Sequence, residues 1–329
     1  MLCGVALAAG GFTLAAMVHL FGLTRFHPIL HSTILTAFLG YVLVSVGLIY
    51  DLGKPYHMWH VMIMWNPHSV MFEVAWCVML YTTVLFLEFV PIVLKRLGWV
   101  ELLRPIKTIS LPLVLAGVIL STLHQSSLGT MFLVVPGKLY KLWYTPYLPV
   151  MFFFSAVMVG FAMVIFESYL SSHFFKHGLE KHIIIDLAHF LLLATVFYLA
   201  IKFQDLFARG TMGALFEGRL ETYCFWLEIS LLLIPAVALT FRPVRWSEHA
   251  SFLCATSVVL GVVVNRLNVA MVGTYASTGS LYLPSFCEIA ITLLLVTSGV
   301  VAFGLAVKYL DIFEDASHGA VRAPGTQER

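Results

Sequence analysis

The chain has 329 residues, of which 60% are hydrophobic and only 11% charged, with a mean hydropathy of +0.93. A water-exposed globular surface carries more charge than this, so a soluble domain is excluded and an integral membrane protein is indicated. The formal net charge of +2 is too small, and its lysines and arginines too dispersed between apolar segments, to point to a nucleic-acid partner.

A spanning helix needs roughly 20 mostly apolar residues. Segments that meet this test lie at 1–22, 29–50, 69–94, 107–128, 147–171, 182–203, 222–241, 250–271 and 287–309. They predict an all-α polytopic helical bundle of about nine transmembrane helices. The opening "MLCGVALAAG" has no basic n-region and no spaced cleavage site, so it reads as a helix entered partway and not as a signal peptide. Residues 1–312 form one transmembrane domain without a convincing internal repeat, and 313–329 read as a disordered cytoplasmic tail.

Basic residues set the orientation. Alternate loops place Arg25, Lys95, Arg96, Arg104, Lys107, Lys176, Lys181, Arg242, Arg245, Lys308, Arg322 and Arg329 on one side, predicted to be cytoplasmic. The outer side receives Lys54, Lys138, Lys141, Lys202, Arg209 and Arg219, and Arg266 falls inside a span.

An ionisable side chain inside hydrocarbon is a functional candidate because its burial costs several kcal/mol. Asp51, Glu73, His124, Glu228, Arg266 and Glu288 come from six spans and share the outer depth. Structural pairing of Arg266 with Glu228 or Glu288 is the plainer reading of those three. Around His124, Gln125, Ser126 and Ser127 add more polarity than a helix end requires. A sparser inner set comprises Glu88, Glu167, Asp186, His189 and His19, either an inner proton path or helix-end groups meeting water.

A lipid-soluble quinone suits the outer set. It enters from the bilayer, needs donors at its carbonyls, and takes up two protons with two electrons. In that reading His124 binds the headgroup and donates a proton, Asp51 and Glu73 resupply it, and Arg266 with Glu228 and Glu288 holds the field or a proton route. A channel would spread its polar groups through the full depth. Haem would need two facing histidines, and only His19 and His189 share a depth. The five cysteines show no ligand spacing, so no metal site or iron–sulfur cluster is expected. In the loop "KLYKLWYTPYLP", Trp143, Tyr144 and Tyr147 read first as an interfacial aromatic belt, and alternatively Trp143 and Tyr144 wall the quinone entrance or a docking face.

The blocks "LHQSSLG" at 123–129 and "GFAMVIFES" at 160–168 are the specific ones. With "GGF" at 10–12, "FHP" at 26–28, "DLGKP" at 51–55, "NPHSVMFE" at 66–73, "LEFVPIVLKRLGW" at 87–99, "LWYTPYLP" at 142–149, "FWLEISLLLIP" at 225–235, Arg266 and "LPSFCE" at 283–288, they cover essentially the whole chain. This pattern resembles the NrfD/PsrC-like integral membrane subunits, most closely the HybB type of periplasm-facing nickel–iron hydrogenase-2 complexes.

The resemblance implies a ten-helix subunit of the bacterial inner membrane, its first helix and part of the second absent from this chain, with its functional face periplasmic. It implies no haem or cluster of its own and menaquinone or ubiquinone as substrate; His124, Gln125, Ser126, Trp143 and Tyr144 are the candidate quinone contacts among the residues. Expected partners are a ferredoxin-like iron–sulfur subunit, the large and small hydrogenase subunits, lipid and the quinone pool. Rival readings are an NrfD-like subunit of a molybdopterin, sulfur-compound or multihaem cytochrome complex, a b-type cytochrome, and a transporter.

Overall fold

A computed structural model describes residues 2–175, 181–280, 282, 284–310 and 312. The tail expected at 313–329 lies outside the described residues. Among the described residues all regular elements are helical. Those that build the spans are α1 (Leu2–Leu7), α2 (Gly10–His19), α3 (His27–Asp51), α4 (Val70–Leu97) and α5 (Ser110–Met131). They are followed by α6 (Leu148–Phe175), α7 (Lys181–Ala208), α8 (Leu220–Thr240), α9 (Glu248–Leu267), α10 (Gly273–Thr278) and α11 (Phe286–Tyr309). These supply nine candidate membrane spans among the described residues, with α1 and α2 sharing the first and α9 and α10 sharing the eighth.

Local chemistry sets several ends. Ser69 caps α4 by accepting from the Phe72 amide at 3.5 Å, and Gly98 stops it in the left-handed region at φ 75°. Ser285 and Glu288 form a reciprocal capping box that starts α11.

Two groups of helices build the bundle. Helices α2 to α5 pack as one group and α6 to α9 as the other, joined where α6 meets α2 and α5. Helix α1 lies in the seam, touching α3, α5, α6 and α9. Small residues permit the close approach: a Cβ on Gly160 of α6 would stand 2.8 Å from Thr13 Oγ1 and 3.2 Å from the Ala9 carbonyl oxygen. Helix α11 packs on α3 and otherwise presents apolar side chains such as Leu293, Leu294 and Val300 outward, as a lipid-facing helix does.

Two of the span limits that differ from the expectation bear on the polar interior. The sixth span ends at Ala208 instead of 203, and the eighth continues to Thr278 instead of 271. Lys202, assigned from the sequence to an outer loop, is therefore inside the bundle and 3% exposed. A lysine next to the expected end of a span reads as a loop cation, yet here a carboxylate on another helix neutralises it.

Candidate functional site

The half of the bundle taken as outer from the distribution of basic residues holds two separate buried polar clusters where the sequence suggested one. The first surrounds His124, fully buried on α5 about two turns before its end. Its Nδ1 lies 2.8 Å from the Leu120 carbonyl oxygen, which only accepts, so Nδ1 carries the proton. Nε2 of the neutral ring then accepts from the Tyr41 hydroxyl of α3 at 2.6 Å. Tyr41 in turn packs edge-on against Tyr81 of α4, ring centroids 4.7 Å apart. Gln125 is buried and donates to the Val5 carbonyl oxygen at 3.1 Å, while Ser126 is half-buried.

The second cluster is built on Glu228 of α8, which is 0% exposed. Its Oε1 accepts from Lys202 Nζ of α7 and from Asn265 Nδ2 at 2.9 Å. Its Oε2 accepts from Trp143 Nε1 at 3.1 Å and Asn268 Nδ2 at 3.0 Å. Four donors on two oxygens fix this group as a carboxylate. A π-helical turn, Asn268–Val272, follows Arg266 and carries Asn268, the kind of insertion that recurs at functional sites.

Arg266 does not pair with Glu228 or Glu288. Its guanidinium bonds to Asn265 Oδ1 at 2.9 Å, Ser155 Oγ at 2.7 Å and the Phe152 carbonyl, and stacks on the Phe152 ring at 3.7 Å. Asn265 therefore links the arginine to the Glu228 carboxylate, and Lys202 occupies the place expected for Arg266. Two cations and one anion leave this cluster with a net positive charge. A cavity of about 10 Å³, room for one water, opens beside Trp143, Thr145, Lys202, Asp205 and Asn265.

Helix α1 separates the clusters: Val5 meets Gln125 on one side, and Cys3 lies near Arg266 on the other. The remaining expected site residues stand apart. Asp51 and Glu73 are exposed at helix ends, and Glu288 is exposed, capping α11 and accepting from Tyr282. Among the described residues no hydrogen bond or ion pair joins Asp51, Glu73 or Glu288 to His124.

Trp143 departs from the belt reading. It is 2% exposed, folded inward to reach Glu228, whereas Tyr144 is half-buried and Tyr147 exposed. Its loop is pinned by Arg209, which donates to the Lys141 and Tyr144 carbonyls at 2.8 and 2.7 Å and pairs with Asp205. Nearer the surface, Glu217 accepts from Tyr140 at 2.8 Å and from Lys141. Those donors hold its carboxyl below the usual range, while partial burial and the Glu217 carboxylate push the Tyr140 phenol up to about 12.

In the inner half, Asp186 pairs with Arg25 at 2.6 Å, Glu167 lies beside Ser32 and Thr36, and His19 lies near His27. His189 bonds to the Ile185 carbonyl on its own helix. On the outer loop, His57 Nδ1 and His60 Nε2 come within 3.0 Å. Among the described residues no group of three or more His, Cys, Asp or Glu is placed to hold a metal ion. Sequence reasoning missed Tyr41, Lys202, Asn265 and Asn268. Lys202 alone left a signal, a cation two turns before the end of a helix that runs on to Ala208.

A family model described as polysulphide reductase, NrfD, matches residues 2–276. The chain belongs to the NrfD family. It is thus a multi-pass membrane protein of the kind that serves respiratory oxidoreductase complexes. Among its relatives, a protein of Nitratidesulfovibrio vulgaris is 37% identical over 92% of this chain and 80% of its own. The probable Ni/Fe-hydrogenase 2 b-type cytochrome subunit of Escherichia coli K12 is 29% identical over 95% of this chain and 81% of its own. The integral membrane subunit of menaquinone reductase from N. vulgaris is 25% identical over 94% and 80%.

Proposed function

We propose that the chain is the quinone-reactive membrane subunit of a periplasm-facing nickel–iron hydrogenase complex in the bacterial inner membrane. A ferredoxin-like iron–sulfur subunit passes it electrons at the outer face, where Trp143 and Tyr144 stand beneath the docking loops. The observation that carries the reading is the buried Tyr41–His124 hydrogen bond, a proton-donating pair in apolar surroundings one side of α1.

Quinone takes two electrons and two protons to become quinol. Both ring nitrogens of His124 have protein partners, so the pair reaches the headgroup through Tyr41: once the imidazole takes up a proton, Nε2–H donates to the phenol oxygen and the single phenol hydrogen turns to a quinone carbonyl. Gln125 and Ser126 line the same helix turn. Across α1, the positive cluster of Lys202, Glu228 and Arg266 favours the negative charge that develops as electrons arrive ahead of protons. The relatives named for a hydrogenase and for menaquinone reductase support a redox partner and a quinone acceptor.

The test uses the complex purified through this chain. His124→Ala is expected to abolish hydrogen-dependent quinone reduction while hydrogen oxidation with an artificial acceptor continues. Unchanged quinone reduction would sink the site assignment. Co-purification of a molybdopterin subunit in place of hydrogenase subunits would overturn the choice of partner and leave the quinone chemistry standing.

A further inference from the structure

The loop joining α3 to α4 carries three histidines, His57, His60 and His68. Two of them converge, away from both polar clusters: His57 Nδ1 stands 3.0 Å from His60 Nε2. A hydrogen bond between two imidazoles open to water adds little by itself, because water competes for both partners. What brings the rings together is the backbone beneath them.

Pro55 opens a single 3-10 turn, Pro55–His57, which the Met58 amide closes on the Pro55 carbonyl at 3.1 Å. A four-residue helix, His60–Ile63, begins at the second histidine, and the Met64 amide closes it on the His60 carbonyl at 2.8 Å. Trp76 of α4 fastens that helix to the bundle, its Nε1 donating to the Val61 carbonyl at 3.0 Å. Aromatic rings flank the pair, with centroids 4.4 Å apart for Tyr56 and His57 and 4.3 Å for Trp59 and His60. Both imidazoles are therefore set in place before any ligand arrives.

We propose that His57 and His60 form a binding site for a divalent transition-metal ion of the zinc or copper class. Metal–imidazole bonds of about 2.0–2.1 Å at a tetrahedral angle put two ligand nitrogens roughly 3.4 Å apart, so the pair need open only slightly. Imidazole nitrogen suits these ions, whereas magnesium and calcium take oxygen ligands. The proton between the rings moves through water to the far nitrogen of the ring that held it, and each neutral imidazole then turns a lone pair to the ion. Among the described residues no third His, Cys, Asp or Glu joins them, so water completes the coordination and the ion exchanges with solvent. It clips the turn after Pro55 to the short helix anchored on α4. This site does not depend on the quinone reading.

The experiment uses the full chain in detergent, purified through a tag free of histidine, stripped with a chelator and titrated with Cu²⁺. At one equivalent the electron paramagnetic resonance spectrum should show splitting by two imidazole nitrogens. His57→Ala and His60→Ala should each remove that two-nitrogen pattern and weaken binding by about 10-fold or more, at least what losing an outer partner of a metal ligand costs. His68→Ala, a third histidine of the same loop, should bind as wild type does. If His60→Ala fails to fold, His57→Ala decides, since His57 is exposed. A one-nitrogen spectrum in wild type, or unchanged affinity in His57→Ala, means an adventitious ion only and overturns the site. An equal loss in His68→Ala overturns the assignment to this pair.

Discussion

Lys202 and Glu228 form an ion pair inside the bundle, 3% and 0% exposed, with Phe225 5.0 Å from the ammonium. Two asparagines and Trp143 complete the carboxylate's shell, so removing either charge strands the other in a medium that cannot solvate it. Lys202→Met or Glu228→Gln should each destabilise the folded chain by about 3–5 kcal/mol, and the double variant should recover part of that loss. Thermal unfolding of the four members of this cycle in detergent measures the coupling. Additive losses would show that the pair contributes nothing.

Tyr41→Phe removes one oxygen and leaves His124 Nε2 buried without a donor. The cost is about 1–3 kcal/mol of stability, since an unmet buried acceptor loses its solvation. Quinone reduction should fall alongside His124→Ala, because the two residues act as one unit. Steady-state rates of the two single variants and the double check this: the double should be no slower than the slower single.

The outer loop carries a pH dependence of known sign. The Glu217 carboxyl is held below its ordinary 4.5, so its contribution is present above that value and is lost as pH falls through the lower folded one. Tyr140, raised from 10.0 to about 12, contributes fully below 10.0 and loses its contribution as pH rises through about 12. The attachment of the loop at 137–141 to Glu217 should therefore hold across neutral pH and weaken at both extremes. Hydrogen exchange of those amides against pH, in wild type and Glu217→Gln, reads it; equal profiles would refute the link.

Gly160→Ala should destabilise the junction of the two helix groups by about 1–3 kcal/mol. The added methyl meets the Ala9 backbone, which cannot turn aside as a flexible side chain can. Gly304 has open space around its Cβ position, so Gly304→Ala should be neutral or slightly stabilising. Comparing the two melting curves separates a packing requirement from a general intolerance of alanine.

Composition and the spacing of apolar runs determined that this chain spans a membrane about nine times, because a bilayer of fixed thickness imposes one length on every helix. They also placed His124, Gln125, Glu228 and Arg266 as buried polar groups, since water-loving side chains in apolar runs stand out one by one. Tertiary structure alone decided who meets whom. Glu228 took Lys202 instead of Arg266, Tyr41 took His124, and α1 divided the expected single site into two. Asp51, Glu73 and Glu288 shared a depth with these residues but faced away from them, at exposed helix ends. Depth is written along one helix and is legible from its sequence; the rotation of a helix about its axis, and the neighbour it faces, come from packing many helices at once.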